Sequence, residues 1–209
     1  MDDLVVLTAD ITMKGVITTL LNYPNFLGIR NISKEVLAHI NRDPGVFNNG
    51  HDLLRERYLR SHQYSILIFD KSGCGQERKP THEITNIVQN NLDNNGWIDR
   101  SKVIVIDPEL EAWFWNNSPS VANVLGYEPE ELMQWLQNKG YSSISQVKYN
   151  HPKEMVESAL KNKRKPFSSS IHRDLTEKIC VNGLDLDNCQ DHAFYEFKNT
   201  LREWFPITD

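Results

Sequence analysis

The sequence predicts an α/β protein: a small, mostly parallel sheet flanked by helices, with a helical C-terminal half. Three apolar runs predict the sheet, namely Leu4-Val5-Val6-Leu7-Thr8-Ala9-Asp10, Tyr64-Ser65-Ile66-Leu67-Ile68-Phe69-Asp70 and Lys102-Val103-Ile104-Val105-Ile106-Asp107. Each is short, rich in β-branched or large apolar residues, and ends in an acid, which reads as a strand buried on both faces. Such strands belong to parallel sheets covered by helices, whose ligands gather at the carboxyl ends of the strands. Helix-spaced apolar residues fill the intervals between the runs, and no comparable run recurs after Trp115. Strand and helix in alternation define the class. The expected division is an α/β core over residues 1–115 and a helical extension packed on it over 116–209.

The elements follow in order. After the first strand, Val16, Ile17, Leu20 and Leu21 recur at helical spacing and stop near Tyr23-Pro24. Ile29, Ile32, Val36 and Ile40 suit either period, and a strand starting near Ile29 would complete the alternation. Asn41-Arg42-Asp43-Pro44-Gly45 reads as a loop that Asn48-Asn49-Gly50 prolongs. From Asp52 a helix carries Leu53, Leu54 and Tyr58 inward. The strand ending at Asp70 follows, then the small-residue loop Lys71-Ser72-Gly73-Cys74-Gly75-Gln76. Ile84, Ile87, Val88 and Leu92 trace the next helix, with Asn94-Asn95-Gly96 as its stop. Beyond Trp115, three helical stripes are expected: Met155, Val156, Ala159 and Leu160; Ile171, Leu175 and Ile179; and Ala193, Phe194, Phe197, Leu201, Trp204 and Phe205.

Composition narrows the function. A chain of 209 residues with 39% hydrophobic and 24% charged content suits a globular protein with one substantial core. No apolar run approaches the ~20 residues of a membrane span, and the acidic start Met1-Asp2-Asp3 is unlike a signal peptide. The three cysteines, Cys74, Cys180 and Cys189, make neither a disulfide framework nor a paired metal knuckle, so a reducing cytoplasm is the expected setting. The net charge of −5 gives no global footprint for nucleic acid. Locally, Lys161, Lys163, Arg164 and Lys165 cluster, which reads first as the solvated end of a helix, where cations suit the dipole, and second as a phosphate-binding patch.

The most specific string is Asp107-Pro108-Glu109-Leu110-Glu111-Ala112-Trp113-Phe114-Trp115. Proline is accepted in a first helical turn, so a helix starting at Pro108 is expected, with Asp107 near its N-cap and Glu109 and Glu111 in its first turn. Acids there are what the dipole favours, so capping is the bland explanation. The same spacing puts Asp107 and Glu111 on one face. Facing Asp70 across the sheet edge, with Asp10 at the end of the first strand, they would offer oxygen ligands to a hard divalent cation.

The chain resembles a family of Toprim-like proteins whose hallmark is a strand followed by Pro-x-x-Glu-Ala-Trp, often encoded beside ATPases in bacterial defence loci. Ile106-Asp107-Pro108-Glu109-Leu110-Glu111-Ala112-Trp113 carries the likeness, with His151-Pro152-Lys153-Glu154 opening a helix and the segment from Cys189 to Leu201 with its Phe197. It is also similar to a small component of a methylation-associated phage defence system. Active Toprim domains carry a glutamate after the first strand and an Asp-x-Asp after a later one, and those acids hold magnesium that positions phosphate oxygens. Here Asp10 stands as a shorter substitute for the glutamate. Asp70-Lys71-Ser72 replaces the Asp-x-Asp, with Ser72 where the second acid belongs. The missing carboxylate and the adjacent lysine both weaken a magnesium site.

Two functions follow from the resemblance. In one, the protein is an interaction or regulatory subunit of an anti-phage defence system, with a degenerate acidic site, docking onto an ATPase or another protein component of that system. In the other it is a metal-dependent nuclease, with Asp10, Asp70 and Glu111 as catalytic carboxylates and Asp10, Asp70, Asp107 and Glu111 holding Mg2+ or Mn2+. Lys71 is expected to neutralise the acidic cluster. The remaining candidates read more simply. The loop at Ser72-Gly73-Cys74-Gly75 would cradle an anion only weakly, lacking the P-loop pattern. Cys180, Cys189 and His192 lack knuckle spacing and a fourth ligand. Cys74 with His51 or His82 lacks an orienting group. His151 and His172 read as surface or capping groups, and Trp113, Trp115 and Trp135 as core.

Overall fold

Extended, β-branched segments that alternate with helices have one economical solution, and the chain adopts it. A computed structural model describes residues 1–115, 119–141, 151–181 and 191–207. Its sheet is formed by β1 (Asp2–Thr8), β2 (Lys34–Ala38), β3 (His62–Asp70) and β4 (Ser101–Ile106), all parallel, in the order β2-β1-β3-β4. The arrangement is consistent with a Toprim-like α/β fold. Register pairs Leu7 with Leu37 on one side and Leu67 on the other, and Asp70 with Ile106. Leu4 to Leu7 and Ile66 to Phe69 are fully excluded from solvent, as strands covered on both faces must be.

The coverings come from both halves of the chain. On one face lie α3 (Arg42–Tyr58) and α4 (Thr81–Leu92), packed on each other and on β3 and β4. On the other lie α1 (Ile11–Leu21) and, past the short turn α2 (Pro24–Leu27), the two late helices α8 (Ser169–Val181) and α9 (His192–Trp204). Helix α8 packs on α1, and α9 on β4. This placement follows from right-handed crossovers: β1 steps to β2 in one direction, while β2 to β3 and β3 to β4 step in the other. Tyr64 of β3 stacks on Trp204 of α9 with ring centres 4.4 Å apart. Among the described residues the other α-helices are α5 (Pro119–Leu125), α6 (Pro129–Asn138) and α7 (Pro152–Asn162), which join α8 and α9 in the C-terminal half. The expected stripes are their buried faces, Met155, Val156, Ala159 and Leu160 on α7 and Phe194, Phe197 and Leu201 on α9. No helix among the described residues is long and apolar enough to cross a membrane.

Three expectations from periodicity fail. The second strand begins at Lys34 rather than near Ile29; Ile29 is a buried loop residue and Ile40 lies outside the strand, 93% exposed. The apolar spacing there reported burial of a loop under α9, where Arg30 N donates to the Phe205 carbonyl. The Asn41–Gly50 loop is absent, because α3 runs unbroken from Arg42 to Tyr58. Pro44 sits in the first turn, where its missing N–H is not needed. Gly50 is required for close approach rather than for a turn: a Cβ there would lie 2.9 Å from Leu67 Cδ2 and 3.1 Å from Leu7 Cδ2. The third failure is at Pro108. No α-helix starts there; Glu109 is extended and a 3-10 turn spans Leu110–Phe114.

Candidate functional site

The chain reverses its direction across the sheet between β1 and β3, and crevices in open α/β sheets form outside the strand ends at such a switch point. Asp10 follows β1 and caps α1, its Oδ1 accepting the Met13 N–H at 2.8 Å. Asp70 is the last residue of β3. Its alternation with Ile66 and Ile68 points it to the face carrying α1 and α8. Glu109 and Glu111 enter from the turn after β4. Together with Lys153 and His172 these residues line one cavity of about 90 Å³, room for several waters.

The Asp70 environment is the extreme one. Its Oδ1 is shielded from solvent and has no hydrogen-bond partner, while its backbone N–H donates to Asp43 Oδ1 at 2.8 Å. Burial, then the negative charge of Asp43, Glu111, Glu109 and Asp10, pushes its carboxyl well above the usual carboxylate range. Burial likewise raises Asp43, with Asp10 adding to the shift and the Asp70 N–H opposing it. Glu109 is raised by burial and by Glu111, against the Lys153 backbone N–H that it accepts at 3.3 Å. A buried carboxylate among carboxylates resists ionisation unless a cation joins it.

The C-terminal half holds the two glutamates. Glu109 accepts from the N-terminus of α7, and Glu111, 6% exposed, meets His172 of α8, 2% exposed, with Nε2 to Oε1 at 2.8 Å. Two indoles staple the 3-10 turn to the same half: Trp113 Nε1 donates to Asp191 Oδ1 and Trp115 Nε1 to the Pro152 carbonyl. The tryptophan run of the motif is structural, and Trp113 also meets Phe194 edge-on at 5.0 Å.

No protein-family model, curated protein or solved structure matches this chain. What the pocket does is therefore read from its chemistry.

Of the four acids expected to hold a metal, three line the pocket: Asp10, Asp70 and Glu111. Asp107 does not. Instead of capping a helix it accepts from Thr81 Oγ1 at 2.7 Å and pairs with Lys71 Nζ at 3.3 Å. Lys71 thus spends its charge on Asp107 rather than on the cluster around Asp70. Glu109 joins the pocket, where its spacing predicts only a dipole-matching acid, and Asp43, expected in a loop, lies outside the pocket lining and reaches Asp70 through the Asp70 backbone N–H. His172 is a correction, being buried and paired where a surface group was expected, whereas His151 is exposed at the start of α7.

The other candidates resolve locally. The backbone N–H groups of Gly73 and Gly75 both donate to Glu77 Oε1 at 3.0 Å, so the small-residue loop wraps a carboxylate of its own. Lys163 pairs with Glu131 and lies over the Tyr127 ring, and Lys165 donates to the Val124 carbonyl, so half of the basic cluster ties α7 to α5 and α6. Cys74 and Cys180 are free and buried, and burial pushes the Cys180 thiol up to about 12. Cys189 lies outside the described residues.

The donor set suits a hard divalent cation, since every acid in it offers oxygen and Asp70 has a buried oxygen awaiting a positive partner. Among the described residues no three His, Cys, Asp or Glu side chains already converge as a coordination group. Asp10, Asp70, Glu109 and Glu111 line the cavity wall.

Proposed function

We propose that this protein is a Toprim-like subunit of a bacterial anti-phage defence system, and that its acidic pocket takes Mg2+ or Mn2+ to act on phosphodiester bonds. One observation supports the cation-binding part of the reading, the partnerless, buried oxygen of Asp70 at the β1/β3 switch point near Asp10, Asp43, Glu109 and Glu111; the defence role rests on the resemblance carried by residues 106–113. The acid missing at Ser72 is made good from the next strand. Ser72 is tied to the β4 exit, its N–H donating to the Pro108 carbonyl at 2.9 Å, and Glu109 and Glu111 follow directly.

Asp10, Asp70 and Glu111 would hold the ion, with Glu109 at the rim. Bound there, a divalent cation would supply charge neutralisation for phosphate oxygens and for the oxygen developing charge in displacement by water. Lys153, the lysine of the pocket wall, would meet the phosphate from the side of α7. Met13, Leu110 and Phe167 supply the apolar part of the wall that limits water around the reacting group.

A second reading keeps the fold and discards the chemistry: an interaction or regulatory subunit docking on an ATPase or another protein of the system. The serine at position 72, where the pattern of an active site has a second acid, favours it. Calorimetric titration of Mg2+ and Mn2+ into wild type and Asp70→Ala separates the two. Saturable binding by wild type, lost in the variant and accompanied by metal-dependent cleavage of a DNA or RNA substrate, supports the nuclease. Wild type that binds neither ion sinks it and leaves the interaction reading.

A further inference from the structure

The histidine at position 172 comes from a helix 61 residues beyond Glu111, in a half of the chain whose described residues add no strand to the sheet. Its imidazole is held on three sides. Phe114 and Phe167 meet the ring edge-on, with centroids 5.7 and 5.4 Å away. Nδ1 lies 3.4 Å from the carbonyl of Ser168, the residue just before α8. The fourth direction, Nε2, is aimed at Glu111 Oε1 at 2.8 Å, and both side chains are within 7% of full burial. A ring fixed in this way fixes the carboxylate it touches, and both line the pocket that contains Asp70.

We infer that His172 is a positioning residue: its Nε2 anchors one oxygen of Glu111 and so holds that carboxylate in a single orientation toward a divalent cation in the Asp70 pocket. The inference rests on the cation-binding reading above. Carboxylates that ligate metals are themselves held by outer hydrogen bonds, and loss of such a partner typically costs about 10–100-fold in metal affinity. Backbone N–H groups hold two of the four carboxylates around Asp70, Asp10 through Met13 and Asp43 through Asp70 itself, both at 2.8 Å; Glu111 is the one of the four held by a buried side chain, that of His172. Glu109 has the weaker analogue, the backbone N–H of Lys153 at 3.3 Å. The C-terminal helices thus act on the site through the two glutamates rather than through the strand-end aspartates.

The test compares two near-isosteric replacements, His172→Gln and His172→Met. Both lose the ring and its packing on Phe114 and Phe167 equally, and they differ in whether an N–H remains for Glu111. Mn2+ affinity is measured by calorimetry. The expected result is that the Met variant binds at least about tenfold more weakly than the Gln variant, which stays near wild type. Equal affinities in the two variants overturn the positioning role and leave the metal reading standing. Wild type that binds no Mn2+ overturns both, so the two failures are distinguishable. A second measurement needs no substitution at position 172, and decides the matter if the Met variant does not fold. Saturating Mg2+ should shift the His172 ring 15N resonances in wild type, and Asp70→Asn should abolish the shift. An unmoved resonance at saturation overturns the inference.

Discussion

His172 and Glu111 form a buried side-chain contact of hydrogen-bond length, 2.8 Å, between α8 and the turn after β4. Burying two charge-capable groups is unfavourable unless each satisfies the other, and removing one partner strands the second. The fold therefore depends on the pair as a unit. Single replacement of either residue by Ala is expected to cost about 3–5 kcal/mol, and the double replacement less than the sum. A double-mutant cycle read by urea unfolding should give a coupling of about 1–3 kcal/mol. Strict additivity would show that the two side chains do not interact in solution.

Asp70 makes the protein's stability depend on pH in a direction opposite to that of a salt-bridged aspartate. Its folded-state pKa is raised above the ordinary 3.8, so between those two values the native state binds the extra proton. The native state is favoured on the acid side, and that stability is lost as pH rises through the raised value. Asp70→Asn removes the loss. At pH 8, without divalent cations, the variant should melt higher than wild type by about 4–8 °C, corresponding to roughly 2 kcal/mol for an unsatisfied buried charged group. The gain should shrink as pH is lowered toward the ordinary carboxylate value. Differential scanning fluorimetry across pH checks it; a variant less stable at pH 8 contradicts the assignment.

Asp107 lies beside the site without belonging to it, committed to Thr81 and Lys71. Asp107→Asn should leave Mn2+ affinity within about threefold of wild type, whereas loss of a pocket carboxylate should cost tenfold or more. Its cost should appear as stability, about 1–2 kcal/mol for a charge-assisted hydrogen bond. Parallel calorimetry and thermal melts distinguish the two effects. A large loss of affinity in this variant would return Asp107 to the ligand set.

Gly45 and Gly50 sit in one helix but answer differently to a methyl group. At Gly45 a Cβ would collide with the His39 ring and approach Asn41 Cβ to 2.8 Å, and that ring is itself fixed, accepting the Asn41 N–H at 3.0 Å. Gly45→Ala should therefore cost about 1–3 kcal/mol through overpacking. At Gly50 the contacts are the methyl ends of Leu67 and Leu7, which can give. There the alanine's helix propensity, worth about 1 kcal/mol, offsets much of the strain. Chemical denaturation of both variants should rank Gly45→Ala clearly below Gly50→Ala.

Local sequence determined the strands β1, β3 and β4 and the buried stripes of α1, α7 and α9, because period and burial are written into neighbouring residues. It also marked Asp10 and Asp70, since a strand buried on both faces announces its own end. The strand expected near Ile29 was placed too early because Ile29 and Ile32 serve a loop, and period alone does not say what covers a residue. The first part of α3 escaped because glycines that usually signal turns are there for close packing, Gly45 against His39 and Gly50 against Leu7 and Leu67. Which acids share the pocket was decided by tertiary structure. Lys71 and Thr81 drew Asp107 aside, the start of α3 brought Asp43 against the Asp70 N–H, and α8 packing on α1 carried His172 to Glu111. Those contacts join residues far apart in the chain, and the free energy that selects them is burial and pairing in the closed interior, which no local run of residues encodes.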